Sequence, residues 1–236
     1  TVPGGVQQAR LALSKRPTAA RFRVKSDAMD FSIVYSLEML GTAAFAVSGA
    51  LAASRKNMDI FGFMVLALMP AVGGGTVRDL LLGADAVFWL HNTEYLWICL
   101  CAAVATWFLA PQFHSLHKLL LWADAVGMAL FSVLGAAKAV QLGAPDIVAV
   151  GMGVMTATFG SMIRDTLLNQ EPVLLGPEIY VTAALLGASA YTVLIKFAAT
   201  AAFALPLAIA AAFTLRACAI VFDLRLPKYG GQSEQG

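Results

Sequence analysis

The chain has 236 residues, 59% of them hydrophobic and 13% charged, a formal net charge of +2 and a mean hydropathy of +0.76. Soluble domains carry about 25% charged residues, so this composition excludes an ordinary water-soluble fold and points to the membrane. The net charge does not point to nucleic acid, since the basic residues form no patch away from the membrane, and no nucleic-acid partner is expected; Cys99, Cys101 and Cys218 form neither a disulfide framework nor a metal spacing.

Residues 1–28 carry Arg10, Lys15, Arg16, Arg21, Arg23 and Lys25 with no acid before Asp27, and no apolar core suited to a cleavable signal. This arm reads as disordered or as an extension, with Met29 as a candidate start. Crossing a bilayer takes about 20 apolar residues. Runs of that kind fall at 33–53, 60–82, 95–110, 119–141, 146–168, 179–197 and 200–222, with Pro111, Pro145, Pro172 and Pro177 at their boundaries. The expected fold class is an all-α integral membrane protein with seven transmembrane helices. The 53–59, 111–118 and C-terminal segments share one side and hold Arg55, Lys56, Lys118, Arg225 and Lys228; the other side holds Lys196. The positive-inside rule puts the C-terminus in the cytoplasm of a cell inner membrane and the Met29 end outside. Membrane lipids, anionic headgroups above all, are expected partners at Arg55-Lys56 and at Arg225 and Lys228.

The chain also repeats itself. At an offset of 86, Gly41, Phe45, Gly49 and Gly74 fall on Gly127, Phe131, Gly135 and Gly160, and Arg78-Asp79 falls on Arg164-Asp165. Glu38 falls on Asp124, a pair of acids expected to be structural. Each copy has three spans, so the second is inverted in the membrane. The expected organisation is a first repeat over 29–112, a second over 113–198, a seventh helix over 199–224 and a tail over 225–236.

Inside the second span, Gly73, Gly74 and Gly75 cost a helix roughly 1 kcal/mol each relative to alanine. Together with Pro70 they predict a broken or kinked helix at Val72–Thr76, matched by Thr158–Ser161 in the fifth span. A break at membrane depth survives where it is buried in protein or lines a wet cavity, which makes Gly73, Gly74, Gly75, Thr76, Thr158, Gly160 and Ser161 candidate path residues; close helix packing is the alternative. Ser48 and Thr156 are further lining candidates by position. Thr76-x-x-Asp79 fits an N-terminal cap for a half-helix restarting there.

A charge near the bilayer centre costs roughly 2.5–3.5 kcal/mol, so such groups pair or face water. Adjacent helix residues do not face each other, and the partners of Arg78, Asp79, Arg164 and Asp165 are therefore expected elsewhere. Either Arg78 meets Asp165 while Arg164 meets Asp79, or the arginines meet Glu38 and Asp124. A structural clamp is the competing reading of these pairs. Lys138, whose counterpart is Ala52, is read either as snorkelling or as a pore-lining cation. Arg216 is read as a headgroup contact and Lys196 as snorkelling. Gly49-x-x-x-Ala53 and Gly135-x-x-x-Ala139 suit tight crossing. His114 and His117 with Asp124 offer a metal or acid–base cluster, but no nucleophile accompanies them; no catalytic residue, metal or cofactor is expected.

Gly-Gly-Gly-Thr-Val-Arg-Asp-Leu-Leu-Leu-Gly over 73–83 and Phe-Gly-Ser-Met-Ile-Arg-Asp over 159–165, in two inverted three-helix repeats plus a seventh helix, resemble the prokaryotic TRIC (trimeric intracellular cation) channels. The resemblance covers residues 30–225. It implies a homotrimer with one pore per subunit, conducting monovalent cations, chiefly potassium with sodium as a further candidate, through helices two and five. It also makes Lys138 the nearest match to a lysine tied to voltage and phosphoinositide response in animal relatives, although the chain reads Lys138-Ala139-Val140 where those have Lys-Glu-Val. Bacterial members are linked to glycine uptake as well, so a secondary transporter of a small zwitterion such as glycine is the alternative to a channel.

Overall fold

A computed structural model of the protein describes residues 31–84, 86–112, 115–173, 176, 178–197 and 201–226. The basic arm, Met29, Asp27, His114, Pro177 and Lys228 lie outside them. All described residues but Phe31 belong to one unit that begins at Ser32. The main helices are α1 (Phe31–Arg55), α2 (Ile60–Leu81), α3 (Glu94–Leu109), α4 (Leu116–Gln141), α5 (Asp146–Leu167), α6 (Val181–Leu194) and α7 (Ala204–Phe222). One helical turn, Phe88–His91, precedes α3, and 3₁₀ turns lie at Ala110–Gln112 and Ala201–Phe203. No strand occurs among the described residues beyond an isolated bridge between Glu178 and Arg225.

Helix ends follow from local chemistry. The Asp59 carboxylate accepts the Gly62 amide at 2.8 Å and caps the start of α2. Five helices stop on a left-handed residue: Asn57 after α1, Gly83 after α2, Gly143 after α4, Asn169 after α5 and Asp223 after α7. Beyond each, an amide returns to a carbonyl of the last turn: Met58 to Ala53, Ala84 to Asp79, Ala144 to Ala139, Gln170 to Asp165 and Leu224 to Ala219. Asn57 and Gly143 are 86 residues apart, as are Gly83 and Asn169, so the stop signals recur at the offset of the motifs.

Among the described residues six helices are long and apolar enough to cross a membrane; α6, with 14 residues, is shorter than the 179–197 expected for it. The fourth begins at Leu116 rather than 119. The clearest departure concerns the glycine breaks: α2 and α5 are each helical throughout, across 72–76 and 158–161 alike. The glycines allow contact instead of a break. A methyl group on Gly74 would lie 2.1 Å from the Thr156 carbonyl oxygen, and one on Gly160 would lie 2.6 Å from that of Pro70. Gly74 and Gly160 are counterparts, and so are Pro70 and Thr156, so the antiparallel crossing of α2 and α5 maps onto itself. The same holds for α1 and α4: Gly41 abuts Phe131 while Gly127 abuts Phe45, and the two phenyl rings stack at 5.5 Å with 7° between their planes. Burial replaces what the glycines cost in helix propensity.

Within the bundle α4 is central, packing on α5, α6 and α7, while α2 packs on α5 and α3. Phe61, Trp97, Phe108, Leu207 and Phe222 point outward and are well exposed, as an apolar solvent requires. Gly151 on the exposed face of α5 has open space around it. Gly151→Ala is expected to stabilise the protein by about 0.8–1 kcal/mol through helix propensity alone, read as a rise in melting temperature in detergent; a fall would show that the face is covered.

Candidate functional site

The α2–α5 crossing centres near Val72 and Thr158. At 1.5 Å per residue, Arg78 and Arg164 lie about 9 Å from it in opposite directions, some 18 Å from each other along the helices. Each anchors a buried polar cluster.

In the cluster at the end that also holds Arg55 and His117, Arg164 is 2% exposed. Its Nη1 donates to Asp124 Oδ1 at 2.5 Å and to Ser48 Oγ at 2.7 Å, and its Nε to Asp165 Oδ1 at 2.8 Å. The second oxygen of Asp165 accepts the Val173 amide at 3.1 Å. Helices α1, α4 and α5 thus meet on one guanidinium.

At the opposite end Arg78 Nε and Lys138 Nζ both donate to Asp79 Oδ1 at 2.8 Å, and Asp79 Oδ2 accepts the Phe88 amide at 3.0 Å. Arg78 also stands over the Phe88 ring, 5.9 Å from its centre. Thr76 donates to the Val72 carbonyl at 2.7 Å and accepts from Trp89 Nε1 at 3.0 Å. Glu38 accepts from Tyr95 Oη at 2.8 Å.

These contacts correct several expectations. Both arginines bond the aspartate next in sequence, because the Nε partway along a long side chain can turn onto a neighbour although the two Cβ atoms diverge. Arg78 does not meet Asp165, nor Arg164 Asp79; they sit at opposite ends. Of the pairings with the structural acids, Arg164–Asp124 forms, whereas Glu38 is taken by Tyr95. Thr76-x-x-Asp79 is no N-terminal cap, since the helix does not restart: Asp79 ties the end of α2 to the following loop instead. Lys138, whose side chain is 27% exposed, neither snorkels nor stands alone but completes the Asp79 cluster. Thr158 and Ser161 turn their hydroxyls onto the Val154 and Thr158 carbonyls of their own helix, and Thr156 does the same with Met152. Gly73 and Gly75 adjoin Ile163 and Phe88. Arg216 is buried and bonds Glu178 at 2.6 Å instead of reaching lipid. Lys196 pairs with Asp146. His117 Nδ1 accepts from Arg55 at 3.1 Å, which removes it from Asp124.

A cavity of about 90 Å³ opens at the Arg55 end and reaches Arg164, Asp165 and Glu171; another of about 250 Å³ lies beside it between Glu178, Arg216 and Arg225. Two buried groups of the clusters have no hydrogen-bond partner, Arg78 Nη1 and Tyr180 Oη, and each such omission costs about 1–3 kcal/mol. The sequence reading missed the tyrosines for a simple reason. After Gln170 the offset falls from 86 to 85, so the loop amide of Phe88 corresponds to that of Val173 and Tyr95 corresponds to Tyr180. Allowing one gap in the second copy would have revealed them.

A family model described as "Glycine transporter" matches residues 35–111 and 121–196. A UPF0126 membrane protein of Vibrio cholerae is 39% identical over 207 residues, 86% of this chain and 85% of that protein. The UPF0126 inner membrane protein YadS of Escherichia coli is 38% identical over 199 residues, covering 84% and 96%. Among solved structures, a TRIC trimeric intracellular cation channel orthologue from Rhodobacter sphaeroides is 49% identical with a TM-score of 0.79, covering 82% of this chain and 100% of that one. A prokaryotic TRIC channel crystallised in 0.5 M KCl is 31% identical with a TM-score of 0.77, covering 83% and 100%.

Proposed function

Because the chain belongs to the TRIC channel family, we propose that it is a homotrimeric channel for monovalent cations, chiefly potassium, with one path per subunit between its two halves. The observation that carries this reading is the pair of buried charge clusters on either side of the α2–α5 crossing. Such groups are costly in lipid and belong where a polar route runs. In this reading 29–112 and 113–198 are inverted repeats, supported by the crossing contacts and helix stops that recur at an offset of 86. The route is closed at the crossing, where Gly74 and Gly160 allow backbones to touch, and it opens by parting α2 from α5. Pro70 provides a weak point for that motion, since it has no amide to bond the Leu66 carbonyl. The seventh helix, Ala204–Phe222, packs at the periphery, and the chain sits in the cell inner membrane with its C-terminus in the cytoplasm and the Met29 end outside. The exposed Arg55, Lys56 and Lys118 on one side against Lys196 on the other support that orientation.

Purified protein in a planar bilayer under a potassium chloride gradient is expected to give step-like unitary currents that reverse near the potassium potential. Saturable glycine exchange without unitary steps would replace the channel by the carrier. Lys138→Gln removes a cation from the partly open end of the route while Arg78 continues to neutralise Asp79. It is expected to raise unitary conductance and flatten its voltage dependence; an unaltered current–voltage relation would take Lys138 out of the path.

A further inference from the structure

We propose that Glu38 and Asp124 are exchange acids: each moves between the tyrosine and the arginine of its own half, and the two halves hold opposite choices at any time. In the state seen here, Glu38 is on Tyr95 and the Nη1 of Arg78 is empty. Across the crossing, Asp124 is on Arg164 and the hydroxyl of Tyr180 is empty. Tyr95 and Tyr180 are counterparts once the one-residue gap is allowed, so the two halves carry the same triad of acid, arginine and tyrosine. Glu38 and Arg78 both act electrostatically on Tyr95, as Asp124 and Arg164 do on Tyr180, whose hydroxyl also faces Ser161. Moving Glu38 to Arg78 and Asp124 to Tyr180 fills both empty groups, vacates Tyr95 and leaves the Nη1 of Arg164 with Ser48 alone. The exchange trades one acid–tyrosine and one acid–arginine bond for the same two kinds, while Ser48 on Arg164 and Lys138 on Asp79 have no counterparts in the other half; two discrete arrangements are what a bistable element needs.

The tyrosines stand where such a movement can act. Tyr95 is the second residue of α3 and Tyr180 immediately precedes α6. The loop before each is tied to the aspartate of its own half through the amides of Phe88 and Val173. Phe88 also packs edge-on against Tyr95 at 4.6 Å. One cavity touches Arg164 and Asp165, at the end where the acid holds the arginine. In the exchanged state Arg164 and Asp165 become less accessible and Arg78 and Asp79 more so. As a gate for the proposed path the exchange rests on that reading; as a rearrangement of the chain it can be measured without it.

The test uses the full chain in lipid nanodiscs, with Cys99, Cys101 and Cys218 replaced by serine and one reporter cysteine at a time: Leu120→Cys beside the Arg164 cavity, or Val77→Cys beside Arg78. Tyr95→Phe frees Glu38 and is expected to slow maleimide labelling at Leu120→Cys several-fold while speeding it at Val77→Cys. Tyr180→Phe removes a bond of the exchanged state only and should hold or widen the parent ratio in the other direction. The double variant Tyr95→Phe/Tyr180→Phe should return towards the parent. Rates that move together at both ends, or that do not move, would overturn the exchange; a monodisperse trace on gel filtration separates either from misfolding. Opposed labelling shifts with no potassium current in any variant would sink the channel and leave the exchange standing, whereas currents without labelling shifts would do the reverse.

Discussion

Arg164→Met is expected to lower the melting temperature in detergent by roughly 6–20 °C. Breaking a buried pair by removing one partner costs about 3–5 kcal/mol, and in a chain of this length each kcal/mol moves the midpoint by about 2–4 °C. Arg164 holds Asp124, Asp165 and Ser48 together, and both aspartate side chains are 5% exposed or less. Without the guanidinium two anions stay buried, one of them with only the Val173 amide. A compensating change identifies the cause: Asp124→Leu in the same chain should recover part of the loss, because an apolar replacement of a whole buried pair is often close to neutral. Lys138→Met gives the contrast, for its side chain is partly exposed and Asp79 retains Arg78 and the Phe88 amide. A shift for Arg164→Met no larger than that for Lys138→Met would show that the cluster does not hold the bundle together.

Single alanines at three helix contacts should damage the protein in the order Gly49, Gly74, Gly160. The added methyl would lie 1.7 Å from the Leu66 carbonyl oxygen, 2.1 Å from that of Thr156 and 2.6 Å from that of Pro70. A side chain in the way can turn aside, but a carbonyl in a packed helix cannot, so the helices must move apart. Overpacking of this kind costs about 1–3 kcal/mol even where side chains take up the strain. Gly49→Ala and Gly74→Ala are expected at or above the top of that range, and Gly160→Ala below them. The measurement is thermal stability of the trio beside Gly151→Ala, which has nothing in its way. If all three matched Gly151→Ala, the glycines would owe their presence to backbone flexibility and the reading of helix contact would fail.

That last point marks where sequence and structure part. Apolar runs bounded by prolines announced a helical membrane protein, and the second, fourth and fifth helices lie within three residues of where hydropathy puts them. Arg78-Asp79 and Arg164-Asp165 stood out because ionised groups rarely survive in such runs, and both are buried at the two polar clusters. The glycine triplet was misread through an average: propensity charges each glycine for a helix in isolation, whereas Thr156 and Phe88 lie against Gly74 and Gly75 and make the smallest residue the one that fits. Partner choice was equally hidden. Glu38 and Asp124 are equivalent in sequence, yet one binds a tyrosine and the other an arginine, a difference that depends on ångström-scale placement of Tyr95 and Tyr180. Arg216, judged alone, suggested the lipid surface; Glu178, 38 residues earlier, keeps it inside.

Phe45 stacks on a ring 86 residues further along the chain. A ribosome adding roughly 5–20 residues each second takes about 4–17 s to deliver that ring after Phe45 has emerged. Through that interval the early helices wait in lipid without half of their eventual neighbours. Arg78 needs no later helix to be neutralised, because its counter-ion is the next residue to be made. The Arg-Asp doublet therefore gives a growing chain a way to insert an arginine before the rest of the protein exists, and Lys138 arrives at a carboxylate already in place.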